Sequence, residues 1–315
     1  MRITGTFLDE ITHDIPSNNW GRKEWTRDFR IMRSIGIDTV ILIRAGWGRK
    51  AAYPSKVLGE RVGIYPVYED LVAMFLDLAE ENEMQFYFGL YDSATRPPRE
   101  WTLDEELDIG RACIDEAWMR YGQRAAFRGW YLTFEVGRME RRRVACLREL
   151  GAHCKQLSPD LPNLISPYLY GDKLVERPVT VEQHYADWDQ ILGELEEAVD
   201  IVAFQDGQVD YDVLPAFLQA NAELISKHGM HAWSNVESFD RDMPFNFPPI
   251  DWRKLWWKMC AAEESGVEKL ITFEFSHFMS PQSCWPAAAN LFRRYCGHLG
   301  LEPASSGIEV TDADL

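Results

Sequence analysis

The segment Gly129-Trp-Tyr-Leu-Thr-Phe-Glu135 is a short apolar run of alternating character that ends on a carboxylate. In an extended strand, residues two apart share a side. Tyr131, Thr133 and Glu135 therefore share one side, and Trp130, Leu132 and Phe134 the other. The wholly apolar side suits burial beneath helices. The side that ends in Glu135 suits the interior and rim of a closed sheet. An amphipathic stretch at Arg141–Gln156 follows, so the two together form one β–α unit.

The same unit recurs in both directions along the chain. Strands are predicted at Ile3–Leu8, Asp38–Ile43, Gln85–Leu90, Leu164–Leu169, Ile201–Phe204, His231–Val236 and Lys269–Phe273. Each precedes a helical pattern, in turn Arg22–Ile35, Tyr68–Asn82, Leu103–Tyr121, Val181–Ala198, Val213–Lys227, Trp252–Ser265 and Trp285–Tyr295. Eight alternating units imply a parallel sheet with right-handed crossovers that closes into a single-domain (β/α)8 TIM barrel. Gly36, Gly229 and Gly266 stand between a helix and the next strand, where glycine caps helix C-termini. A doubly wound open sheet would carry a glycine-rich turn after its first strand, and Asp9-Glu-Ile-Thr-His-Asp14 contains no glycine. The barrel is expected over residues 1–300, with residues 301–315 (LEPASSGIEVTDADL) a flexible acidic tail.

Composition narrows the partners. A net charge of −17 opposes attraction to nucleic acid or to an anionic membrane, and leaves neutral polar substrates such as carbohydrate. No run of about 18 apolar residues predicts a membrane span. The opening MRITGTFLDE has no apolar signal core, so a cytoplasmic protein is expected. The six cysteines form no CxxC pair and suit reduced, buried thiols. His13, His184, His231 and His277 show neither HxH nor HExxH spacing, so no metal and no cofactor is expected.

Barrel active sites lie where strands end, which makes the strand-end residues the informative ones. They are Asp9 after strand one, Arg44 and Trp47 after strand two, Tyr91 and Asp92 after strand three, and Glu135 after strand four. Tyr168 lies at the end of strand five, Gln205 and Asp206 end strand six, Trp233, Asn235 and Glu237 belong to strand seven, and Glu274 follows strand eight. Glu135 and Glu237 would face each other across the mouth, as glycosidic bond cleavage requires. One carboxyl group protonates the leaving oxygen while the other attacks the anomeric carbon or activates water. A retaining mechanism suits this pair, with Glu135 as acid/base and Glu237 as nucleophile. Glu274 is the rival for either role. The remaining strand-end residues are expected to bind substrate, the aromatic ones by packing against the C–H faces of sugar rings. Two other readings stay open: a metal-dependent sugar isomerase or epimerase, and a carbohydrate-binding barrel without catalysis.

Thr4-Gly-Thr-Phe-Leu8, Gly129-Trp-Tyr-Leu-Thr-Phe-Glu135, Ser166-Pro-Tyr168 and Asp200-Ile-Val-Ala-Phe-Gln-Asp-Gly207 resemble the domain of unknown function DUF4434, a largely bacterial family similar to glycoside hydrolases with a barrel fold. The resemblance runs from strand one to strand eight. It implies that Glu135, Gln205 and Asp206 belong to the site. Many retaining barrel glycosidases place Asn before the strand-four acid, and this chain has Phe134 there. Contact with a sugar 2-hydroxyl then has to come from elsewhere.

Overall fold

The computed structural model of the protein describes residues 1–12, 15–94, 102–243 and 247–302. His13 and residues 303–315 of the expected tail lie outside them. Eight strands, β1 (Ile3–Leu8), β2 (Thr39–Leu42), β3 (Gln85–Gly89), β4 (Phe127–Tyr131), β5 (Asn163–Ile165), β6 (Ile201–Gln205), β7 (His231–Asn235) and β8 (Lys269–Thr272), form a closed barrel. Neighbouring strands pair in parallel, and β8 closes on β1. The main helices are α1 (Arg22–Ser34), α2 (Leu71–Glu81), α3 (Leu103–Tyr121), α4 (Arg141–Leu157), α5 (Val181–Leu195), α6 (Leu214–Lys227), α7 (Trp252–Glu264) and α8 (Pro286–Leu299). Two short helices, Lys56–Arg61 and Phe275–Phe278, join them. The expected (β/α)8 barrel is therefore the fold.

Period-two alternation sorts the apolar residues into two layers. Phe7, Ile41, Tyr87, Tyr131, Leu164, Ile201, Ala203 and Ile271, with Trp233 and Phe273 against them, fill the barrel interior. Their neighbours in sequence, among them Leu8, Val40, Phe88, Trp130, Ile165, Phe204 and Leu270, pack outward against the helices. Both faces of each strand are thus buried, as parallel sheets require. Local signals set the helix ends. Thr102 and Glu105 form a capping box on α3, as Thr180 and Gln183 do on α5. Gly36, Gly229 and Gly266 take positive φ values of 91°, 69° and 85° at the ends of α1, α6 and α7.

Two strands differ from expectation in ways that shape the mouth. β4 begins and ends earlier than its apolar run, so Leu132–Val136 climbs over the rim and carries Glu135 above the last ladder residue. β5 stops at Ile165, because Pro167 has no N–H to continue the ladder. The continuations of β2 and β3 do not simply become loops. Gly46–Trp47 pairs antiparallel with Lys50–Ala51 and parallel with Tyr91–Asp92, which makes a small second sheet beside the mouth.

Candidate active site

The C-terminal ends of the strands surround a cavity of about 240 Å³. Glu135, Ser166, Tyr168, Gln205, Asn235, Glu237 and Arg241 give it a polar part, and Phe7, Ile43, Phe239, Phe247 and Phe273 an apolar wall. Five residues singled out from the sequence, Glu135, Tyr168, Gln205, Asn235 and Glu237, meet here. Below them lies a polar floor. Asn235 Nδ2 donates to Ser166 Oγ (3.1 Å), Gln205 Nε2 to the Ser166 carbonyl (2.9 Å), and Ser166 Oγ to the Ala203 carbonyl (2.8 Å). Asn235 Oδ1 is buried without a protein partner, which leaves an acceptor at the cavity wall.

Glu237 is held from every side. Its carboxylate accepts two parallel bonds from Arg241, Nε to Oε2 at 2.9 Å and Nη2 to Oε1 at 2.7 Å. Such bidentate, charge-assisted pairs fix orientation as well as charge. Burial works against the Arg241 charge, but Glu237 and then Glu135 outweigh it and raise its pKa. The Glu237 backbone is pinned too. Its N–H donates to Asp206 Oδ1 (3.0 Å), and its carbonyl accepts from Lys258 Nζ (2.9 Å). Lys258 Nζ and Asp206 Oδ1 are themselves 2.6 Å apart, both fully buried. Burial pushes the Asp206 carboxyl up to about 6, although Lys258 pulls the other way. Gly207 completes the arrangement, since a Cβ there would lie 1.7 Å from Glu237 Oε2.

Glu135 sits differently. Its side chain is 31% exposed, and Arg44 Nη2 lies 3.5 Å from its Oε1. Arg44 is buried, with its Nε 3.8 Å from Asp92 and its guanidinium 4.9 Å from the Trp47 ring centroid. Burial opposes the Arg44 charge, while Glu135 and Asp92 prevail and raise its pKa. Tyr168 presents its ring to the cavity because Gly137 leaves it room; a Cβ at Gly137 would meet the ring at 2.3 Å.

Other strand-end residues go elsewhere. Asp206 is enclosed with Lys258, so it holds Glu237 and does not face the cavity. Glu274 caps the helix Phe275–Phe278 through the N–H groups of Ser276 and His277 and pairs with the His277 ring. Ile271 and Phe273 take the interior side of that strand, so Glu274 points the other way. Trp233 is on the interior side but one layer too low. It packs on Tyr87 and Lys269 near the opposite end of the barrel. Tyr91 packs outward with Leu58, Ile109 and Cys113. Asp9 Oδ1 accepts the N–H groups of Ile11 and Thr12, which closes the turn after β1. Trp47 and Asp92 stand in the small sheet, beyond Arg44.

Sequence reasoning missed Arg241 and Lys258. Lys258 did leave a signal, for it falls on the buried stripe of α7 with Leu255, Met259 and Ala262. Arg241 stands four residues after Glu237, a spacing that reads equally as an ordinary surface ion pair. Among the described residues no group of three or more His, Cys, Asp or Glu side chains could hold a metal ion. No helix among them is long and apolar enough to cross a membrane.

Solved glycoside hydrolases share the closed parallel (β/α)8 barrel fold. The chain is similar to an endo-1,4-beta-D-mannanase from Thermotoga petrophila RKU-1 (TM-score 0.58, 12% identity, 86% of this chain and 87% of that one). It is also similar to the intracellular xylanase TsXylA from Thermoanaerobacterium saccharolyticum (TM-score 0.52, 11% identity, 85% and 84%). A much nearer relative is a "putative alpha-L-fucosidase" from Bacteroides thetaiotaomicron VPI-5482, with TM-score 0.91, 48% identity, and 95% and 94% of the two chains covered. No curated protein matches the chain by sequence. The chain belongs to the family described as the domain of unknown function DUF4434, whose model matches residues 3–285.

Proposed function

We propose that the protein is a glycoside hydrolase that works by retention, with Glu237 as nucleophile and Glu135 as general acid/base. The observation that carries this reading is that both carboxylates line one cavity, in different environments. Glu237 is fixed and enclosed, which suits a nucleophile that must hold one line of approach. Glu135 is partly exposed, with Arg44 Nη2 3.5 Å from its Oε1, which suits a group that gives a proton to the leaving oxygen and later takes one from water. A carboxylate offers about four lone-pair sites; Arg241 occupies two and the Gln208 amide stands 3.4 Å from Oε1, so at least one remains to attack. The apolar wall and polar floor match a pyranose ring, whose C–H face packs on aromatic carbon while its hydroxyls reach amides and carboxylates. Asn235 Oδ1 is the acceptor for one such hydroxyl, in place of the asparagine that Phe134 displaces.

The test is a panel of 4-nitrophenyl glycosides that includes the α-L-fucoside, the sugar suggested by the relative 48% identical to this chain. NMR of the first-formed anomer then gives the stereochemistry. Glu135→Gln and Glu237→Gln should each lower kcat by about 10²–10⁴-fold with circular dichroism unchanged. Turnover within tenfold of wild type in either variant would overturn the assignment. An inverted product would retain the pair but make Glu237 the base that activates water.

A further inference from the structure

We infer that a second cavity, across Arg44 from the first, is the subsite for the sugar on the leaving side of the bond, so that the natural substrate is at least a disaccharide. This rests on the catalytic reading of Glu135. The second cavity, also about 240 Å³, is lined by Trp47, Asp92, Glu106, Phe134, Arg142 and Arg143 among others. Phe134 faces it while the next residue, Glu135, lines the first cavity, so the two spaces lie on either side of one strand extension. Arg44 bridges them, touching Glu135 on one side and Asp92 and Trp47 on the other. A proton donor at this boundary is where the leaving oxygen belongs.

The small sheet builds this second site. Trp47 and Asp92 are parallel register partners, so their side chains stand next to each other on one face. Gly46 and Tyr91 take the opposite face, and the Tyr91 ring occupies the space a Gly46 side chain would need, with its nearest atom 2.7 Å from a Cβ built there. The charges are mixed. Arg142 lies 3.7 Å from Glu106, which also accepts from Ser93, and Arg143 lies 3.3 Å from Glu140. Near-balanced acids and bases around an indole do not select an anion. They offer donors and acceptors in turn to a neutral hydroxylated ring, with Trp47 as its apolar platform.

Two substrates with the same glycosyl unit separate this subsite from the rest of the site: a disaccharide, and the glycosyl fluoride, whose leaving atom does not reach the second cavity. Trp47→Ala and Arg142→Ala should lower kcat/KM for the disaccharide about tenfold more than for the fluoride, chiefly through KM, and Trp47→Phe should recover most of the loss. Trp256→Ala, on the exposed face of α7, should leave the ratio as it is. Equal losses on both substrates, or none on the disaccharide, would overturn the subsite. If wild type cleaves no glycoside, the catalytic reading fails instead, and calorimetry with lactose, cellobiose and xylotriose decides the second cavity. Binding that weakens at least tenfold in Trp47→Ala supports it; binding that is equal in both proteins, or absent from both, refutes it.

Discussion

Replacing Gly207 by alanine tests the geometry of Glu237 with one methyl group. A Cβ at that position would stand 1.7 Å from Glu237 Oε2 and 2.8 Å from Arg241 Nε. Carbon and oxygen settle at about 3.5 Å, so the carboxylate would have to retreat by roughly 2 Å. Arg241 blocks an easy retreat, since it grips both oxygens and is crowded by the same methyl. Gly207 has no positive φ, so the backbone itself accepts alanine. The damage should therefore fall on the side-chain pair and not on the barrel. Misplacing a reacting group by about 1 Å costs on the order of 10²-fold in rate, and kcat for a cleaved glycoside should drop by at least that factor in Gly207→Ala. Overpacking of this kind costs about 1–3 kcal/mol, which a urea titration reads as a moderate loss with the cooperative transition kept. Kinetics within tenfold of wild type, alongside a folded protein, would show that the position of Glu237 does not limit the reaction.

Lys258→Met leaves Asp206 buried without its partner and takes a donor from the Glu237 carbonyl. Breaking a buried pair on one side costs about 3–5 kcal/mol, so the urea midpoint should fall accordingly and Lys258→Met/Asp206→Asn should regain much of it; a single variant as stable as wild type would contradict the pairing. His277 gives stability a slope on the alkaline side. Burial opposes its charge, but Glu274 wins and pushes its pKa up to about 9 from 6.5, so its contribution is complete below pH 6.5 and is lost as pH rises through 9. The difference corresponds to about 3 kcal/mol, measurable as urea stability at pH 6.5 against pH 9.5, and His277→Gln should flatten that slope.

The barrel was legible because its signal is repeated. Each strand carries the same alternation, each helix an apolar stripe, and glycines with positive φ mark junctions that no other residue fills as cheaply. Strand ends were also legible as a group, and Glu135, Tyr168, Gln205, Asn235 and Glu237 do meet at one cavity. What the pattern left open was height and direction. Trp233 obeys the alternation yet lies two residues below Asn235, and each strand residue rises about 3.3 Å, so it belongs to the floor at the other end. Glu274 follows Phe273, which takes the inward side, so a strict count by two would have turned it away from the mouth. The partners of Glu237 were harder. Asp206 and Gly207 look like site residues from their place after β6, but their use is to hold and make room for a neighbour, and only the parallel pairing of β6 with β7 reveals it.

That pairing also bears on the different roles proposed for two chemically identical side chains. Glu237 gains its position from four residues on three separate segments: Asp206 and Gly207 beyond β6, Arg241 beyond β7, and Lys258 on α7. Asp206 and Lys258 are enclosed behind Glu237, while Arg241 also lines the cavity. Glu135 is the more open of the two, its side chain 31% exposed against 2% for Glu237. It stands on the irregular stretch above β4, a third exposed, with Arg44 at 3.5 Å. A nucleophile gains from being fixed, because attack on the anomeric carbon follows one line, and order supplied in advance is not lost in the transition state. An acid/base gains from reach, because it must meet the leaving oxygen in one half of the reaction and a water molecule in the other. Under the proposed mechanism, exchanging the two environments would serve neither step, and this asymmetry is what supports proposing Glu237 as the nucleophile and Glu135 as the acid/base.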